Sequence, residues 1–82
     1  MKNSYSIQAR RLADRVFEQV VIGIENIELF SLDNGYGYVN CTPEEWASYV
    51  FRNSYRPAIV RERAAKRYGK KIREYKKKKL AN

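Results

Sequence analysis

The sequence predicts a small, helix-dominated α+β domain with the element order α-β-β-α-α. Three observations predict it. Apolar residues recur at helical spacing in two long stretches, one near each end of the chain. Between them, "SLDNGYGY" places turn-forming residues between two short apolar runs. "TPEEW" then announces the start of another helix.

The first helix is predicted from Ser6 to Glu25. Tyr5, Ala9, Leu12, Ala13, Val16, Phe17, Val20 and Ile24 fall on one face, with Arg11, Arg15 and Glu18 opposite. This stripe reads as core. Gly23 should weaken the last turn by about 1 kcal/mol relative to alanine.

A β-hairpin follows, with strands expected over Ile27–Leu32 and Tyr36–Cys41. Asp33, Asn34 and Gly35 tolerate positive φ and suit the turn. On the second strand Tyr36 and Tyr38 share a face, and cross-strand packing is their ordinary role. A stacking platform for bases is the alternative. An isolated hairpin is marginal in water, so this one must lean on the helices.

The second helix is predicted from Pro43 to Asn53. Thr42 is a good N-cap, Pro43 suits the first helical position and Glu45 completes a capping box. Glu44 and Glu45 also favour the positive end of the helix dipole. Both acids therefore have a structural role that makes a catalytic one unnecessary. Trp46 and Val50, joined by Tyr49 or Phe51, are expected to face the core. "RNSYRP" ends the helix, since Pro57 disfavours helical geometry at Arg56.

The third helix should run from Pro57 to Lys77. Val60, Ala64, Tyr68, Ile72 and Tyr75 form its apolar ridge. Its length, about 30 Å, exceeds what a small globule needs, so the last turns are expected to project. Residues 5–72 are then the compact part, and residues 76–82 a frayed basic tail of one domain spanning 1–82.

Composition narrows the function. A chain of 82 residues is near the lower limit for folding without staples. One cysteine, Cys41, forbids an internal disulfide and points to a reducing, cytoplasmic setting. Cys41 itself reads as a small buried hydrophobe. There is no histidine, which removes Cys/His zinc sites and the commonest general base. No motif for catalysis, metal or cofactor is present. "VVIGI" is far short of the roughly twenty apolar residues of a membrane span, and the N-terminus lacks a signal-peptide pattern.

Charge is the informative quantity. Residues 1–51 hold four lysines and arginines against seven acids, a net −3. Residues 52–82 hold thirteen against two, a net +11. A chain tuned only for solubility would interleave the signs. Arg63, Lys66, Arg67, Lys70, Arg73 and Lys77 lie opposite the apolar ridge and its flank, as the main candidates for phosphate contact. Arg56, Arg61, Lys71 and the run Lys76–Lys79 add to the same field. Glu62 and Glu74 offset only part of it.

The pattern points to a non-enzymatic nucleic-acid-binding protein. Arginine adds bidentate phosphate contacts that lysine cannot make. Tyr55, Tyr68 and Tyr75 are interleaved with these cations and suggest stacking on unpaired bases, which favours RNA or single strands over duplex DNA. A helix-turn-helix would put the third helix in a major groove, but "RNSYRP" lacks the usual glycine-containing turn. The competing partner is an acidic protein surface. In that reading the chain is a small phage-type accessory protein that inhibits a host or cellular protein. An anionic membrane surface is a weaker candidate, since no lipidation motif supports the lysine run.

Overall fold

The computed structural model describes residues 2–81. It contains three helices and a two-stranded antiparallel hairpin in the predicted order. Helix α1 spans Lys2–Glu25, β1 Phe30–Asp33, β2 Tyr38–Cys41, α2 Pro43–Asn53 and α3 Ala58–Ala81. The Cα atoms fill a slab of 40 × 40 × 13 Å. So thin a body leaves the outer side of every helix in solvent.

α1 and α3 form the main seam. Their contacts ascend together along both helices. Arg63 reaches Ser6, Arg67 and Lys71 reach Asp14, and Tyr75 and Lys79 reach Glu25. The two helices therefore run side by side in the same direction. The hairpin and α2 are the return leg. α2 lies antiparallel to α3, with Glu44 beside Lys76 and Arg52 beside Arg61.

The core is narrow and rich in small side chains. Ala9, Ala13, Val16 and Val20 of α1 are buried against Val60, Ala64 and Ile72 of α3, with Ala47 and Phe51 of α2 closing the third side. Alanines at the seam let the helix backbones approach closely. The predicted stripes of α1 and α3 are the faces turned to the core, with Leu12, Phe17, Ile24, Tyr68 and Tyr75 half-buried and Tyr5 exposed. On α2 the inward residues are Ala47 and Phe51, while Trp46, Tyr49 and Val50 are half-buried.

α2 begins as its sequence dictates. The Thr42 hydroxyl accepts from the Glu45 amide at 3.2 Å, and the Glu45 carboxylate accepts from the Thr42 amide at 2.8 Å. That backbone N–H, with the Thr42 side chain adding to it, holds the Glu45 carboxyl below the usual range.

Four boundaries differ from expectation by two residues or more. α1 starts at Lys2 instead of Ser6, and within its first turns the Gln8 amide donates to the Ser4 hydroxyl at 3.2 Å. The first strand begins at Phe30, not Ile27, because Ile27 closes α1. Ile27 takes a positive φ of 53°, its amide donates to Ile24 O, and the Glu28 amide donates to Gly23 O. This is a Schellman-type closure with isoleucine in the place that glycine normally holds. The second strand begins at Tyr38, since Asn34–Gly37 form the turn. The Asn34 amide donates to Gly37 O, Gly35 adopts φ 91°, and Asp33 and Asn34 side chains accept from the amides of Gly35 and Tyr36. Finally, α3 continues to Ala81, so residues 76–81 are helix and not a frayed tail. Asn82 lies outside the described residues. The last turns do not project either, because Lys76 and Lys79 are tied to Glu44 and Glu25.

The hairpin leans on α2 and α1 at its base. Phe30 packs edge-on against Trp46 with ring centroids 5.1 Å apart, and the Tyr49 hydroxyl donates to Asp33 O. Cys41 is buried, as its composition suggested. The close approach explains Gly23. A Cβ there would lie 2.7 Å from the Phe30 ring and from Pro43. Glycine at this position serves helix–hairpin packing, whatever it costs α1 in propensity.

The cationic face of the third helix

Helix α3 sorts its cations into two groups. One group turns toward α1 and α2 and finds acids there. Arg67 and Lys71 share Asp14 at 3.1 and 2.9 Å, Lys76 meets Glu44 at 2.6 Å, and Lys79 meets Glu25 at 3.0 Å. Lys71 also sits 4.7 Å above the Phe17 ring, a cation–π position.

The acids respond to these neighbours. The Lys71 ammonium, then Arg67, holds the Asp14 carboxyl below its ordinary value despite its partial burial. The Tyr75 hydroxyl and then Lys79 do the same for Glu25. In return Glu25 raises both the Tyr75 phenol and the Lys79 ammonium.

The second group points outward. Arg63, Lys66, Lys70, Arg73 and Lys77 are exposed and have no acidic partner among the described residues. At 100° per residue they fall within an arc of roughly 80°. From Arg63 to Lys77 the row is about 21 Å long at 1.5 Å per residue. Arg63 makes one weak contact, a 3.4 Å bond to the Ser6 hydroxyl. Glu62 and Glu74 lie on α3 at opposite edges of the row, by the same helical spacing.

Of the residues singled out in sequence, the structure thus aligns Arg63, Lys66, Lys70, Arg73 and Lys77. It removes Arg67 and Lys71 from the free face, because Asp14 lies across the seam from both. Arg56 and Arg61 sit at the α2–α3 corner, where Arg56 donates to the Gln8 side chain at 3.0 Å and Arg61 to Arg52 O at 2.7 Å. Lys78 is exposed and without an acidic partner among the described residues. Sequence reasoning gave no weight to Arg10, Arg11 and Arg15, which are exposed on α1. Their charge was hidden by the acids nearby in sequence.

The tyrosines are placed differently from the stacking role proposed for them. Tyr68 packs on Phe51 with ring centroids 5.3 Å apart, and its hydroxyl is buried without a hydrogen-bond partner. Burial, with a smaller push from Glu44, raises that phenol to about 12. Tyr75 stands edge-on to Phe17 and donates to the Glu25 carboxylate. Neither ring offers a free face beside the row. Tyr55, Tyr36 and Tyr38 are the exposed tyrosines of the loop and the hairpin, at 106%, 99% and 76% of full exposure. Cross-strand packing is therefore not what Tyr36 and Tyr38 do. Tyr36 lies in the turn, and Tyr38 is opposite Asp33.

Comparison with known proteins finds no matching family model, no similar curated protein and no similar solved structure. No helix of the described residues is long and apolar enough to cross a membrane.

Proposed function

We propose that this chain is a non-enzymatic nucleic-acid-binding protein whose contact surface is the outward row of α3. One observation carries the reading. The fold supplies acids for Arg67, Lys71, Lys76 and Lys79, yet leaves five aligned cations without any among the described residues. Neighbouring like charges on a helix repel, so the row costs stability until a polyanion covers it. Phosphates do this with release of condensed counterions, which gives affinity with little sequence dependence. Lys78, exposed beyond Glu74, adds to its field, while Arg56 and Arg61 stay at the α2–α3 corner. The single cysteine accords with a cytosolic setting.

The reading is tested by filter binding of mixed-sequence RNA and DNA at 50 mM salt and again at 300 mM. Binding at low salt that collapses at high salt supports it. Absence of binding at 50 mM salt overturns it.

The hairpin favours a second reading, an accessory protein that binds and inhibits a host or cellular protein. Ile27, Leu29, Tyr36 and Tyr38 are all largely exposed there, with Glu28 and Asp33 and no cation. This surface differs in chemistry from α3, so a protein partner and a nucleic acid can be held together. A complex that survives nuclease treatment and fails on Tyr36→Ala/Tyr38→Ala would support direct protein contact.

A further inference from the structure

We infer that the row on α3 docks on the backbone of a nucleic-acid duplex in preference to a single strand. The inference rests on the nucleic-acid reading above and reverses the preference that the interleaved tyrosines suggest. Proteins that hold single strands join a basic track to aromatic platforms on which bases stack. Here the track has no platform. Tyr68 gives its ring to Phe51 and Tyr75 gives its ring to Phe17. Within α3 the outward face is otherwise lysine, arginine, the aliphatic Ile59 and Leu80, small residues and the two flanking acids.

Without stacking, affinity comes from counterion release, which grows with the charge density of the polymer. A duplex carries one charge per about 1.7 Å of axis, and its salt response per neutralised phosphate is about 0.9, against about 0.7 for a single strand. The row also matches a stiff partner. It is straight over about 21 Å, and a duplex is rigid over a far greater length, about 500 Å. A single strand would have to be straightened to meet all five cations.

The flanking acids refine the geometry. Glu62 and Glu74 border the row on either side and repel phosphates beyond its edges. With its five cations inside an arc of roughly 80°, the row is one phosphate line wide and follows one strand of a backbone. It does not sink into a groove where bases would be read. Nothing on it recognises a 2′-hydroxyl specifically, so both DNA and RNA duplexes satisfy its chemistry.

The magnitude follows from the five cations. If all five engage and the salt-independent parts are equal, the two slopes separate the polymers by about 20-fold at 50 mM salt and about 5-fold at 200 mM. The test is fluorescence anisotropy with four end-labelled 24-mers: duplex DNA, duplex RNA, oligo-dT and mixed single-stranded RNA. The expected result is that one or both duplexes bind at least 10-fold tighter than either single strand at 50 mM salt, with the gap shrinking as salt rises. The comparison of the two duplexes shows which form is preferred. Tyr55→Ala, which removes the exposed ring nearest the row in sequence, should leave duplex affinity unchanged. Single strands that bind as tightly as duplexes, or a large loss of affinity in Tyr55→Ala, would overturn the inference while leaving the nucleic-acid reading intact. Failure of all four probes to bind would remove both.

Discussion

Replacing Lys66, Lys70 and Arg73 together with alanine separates the position of charge from its amount. The comparator is Lys71→Ala/Lys76→Ala/Lys79→Ala. Each triple lowers the net charge from +8 to +5. The first removes three members of the free row, and the second removes three cations that already have acids. With five phosphates neutralised, log K for a DNA duplex should fall with log salt at a slope of about −4.5. The wild type then weakens about 500-fold between 50 and 200 mM salt. The row triple keeps two cations, a slope of about −1.8, and a weakening of only about 12-fold over the same range. The comparator should keep a slope near the wild type. Its cost appears in folding, because Glu44 and Glu25 lose their ion-pair partners and Asp14 keeps only Arg67. Anisotropy over a salt series gives the slopes, and urea melts confirm that each variant is folded. Equal slopes in the two triples would refute the reasoning, since net charge alone would then explain the binding.

Four further outcomes follow from the fold. Gly23→Ala should destabilise by about 1–3 kcal/mol in urea despite alanine's better helix propensity, because its Cβ would lie 2.7 Å from Phe30 and Pro43. Ile27→Gly should stabilise by roughly 1 kcal/mol, since Ile27 holds a left-handed conformation and is 93% exposed; a destabilised variant would show that its side chain packs. Tyr68→Phe should keep or raise stability near neutral pH, because it deletes a buried hydroxyl that has no partner. The raised Tyr68 phenol means that the unfolded chain loses this proton first. Stability present below pH 10 should therefore drain away toward about 12, and Tyr68→Phe should flatten that limb in alkaline melts. Asp14 and Glu25 carry depressed carboxyls, so their contribution is present above the ordinary carboxylate range and lost as the pH falls below it; Asp14→Asn should shrink that acid limb.

Much of the fold was legible because its signals are local. The boundaries of α2 were readable to the residue, since capping box, proline and terminating Pro57 all lie within a few positions of the ends they set. The apolar ridges of α1 and α3 were readable from periodicity. The sorting of cations was not, because Asp14, Glu25 and Glu44 reach α3 from 32 to 57 residues away in the chain. No spacing rule reports such pairs. The tyrosines are the instructive case. Tyr68 and Tyr75 lie on the same ridge as Val60 and Ile72, so the spacing that predicted the core already argued against exposed rings. Reading them by their cationic neighbours in sequence set aside the periodicity. The short first strand was hidden for another reason. Ile27 looks like a strand residue, and only the backbone shows it closing a helix.

The parallel pairing of α1 with α3 also constrains how the molecule can assemble. Its principal seam joins residues about fifty positions apart, whereas most helical bundles close through neighbours in sequence. During synthesis α1 can lean on α2 first, but the part of its alanine–valine strip that faces α3 stays uncovered until α3 has been made. Such a long loop is closed late, and folding should be slow for so helical a chain.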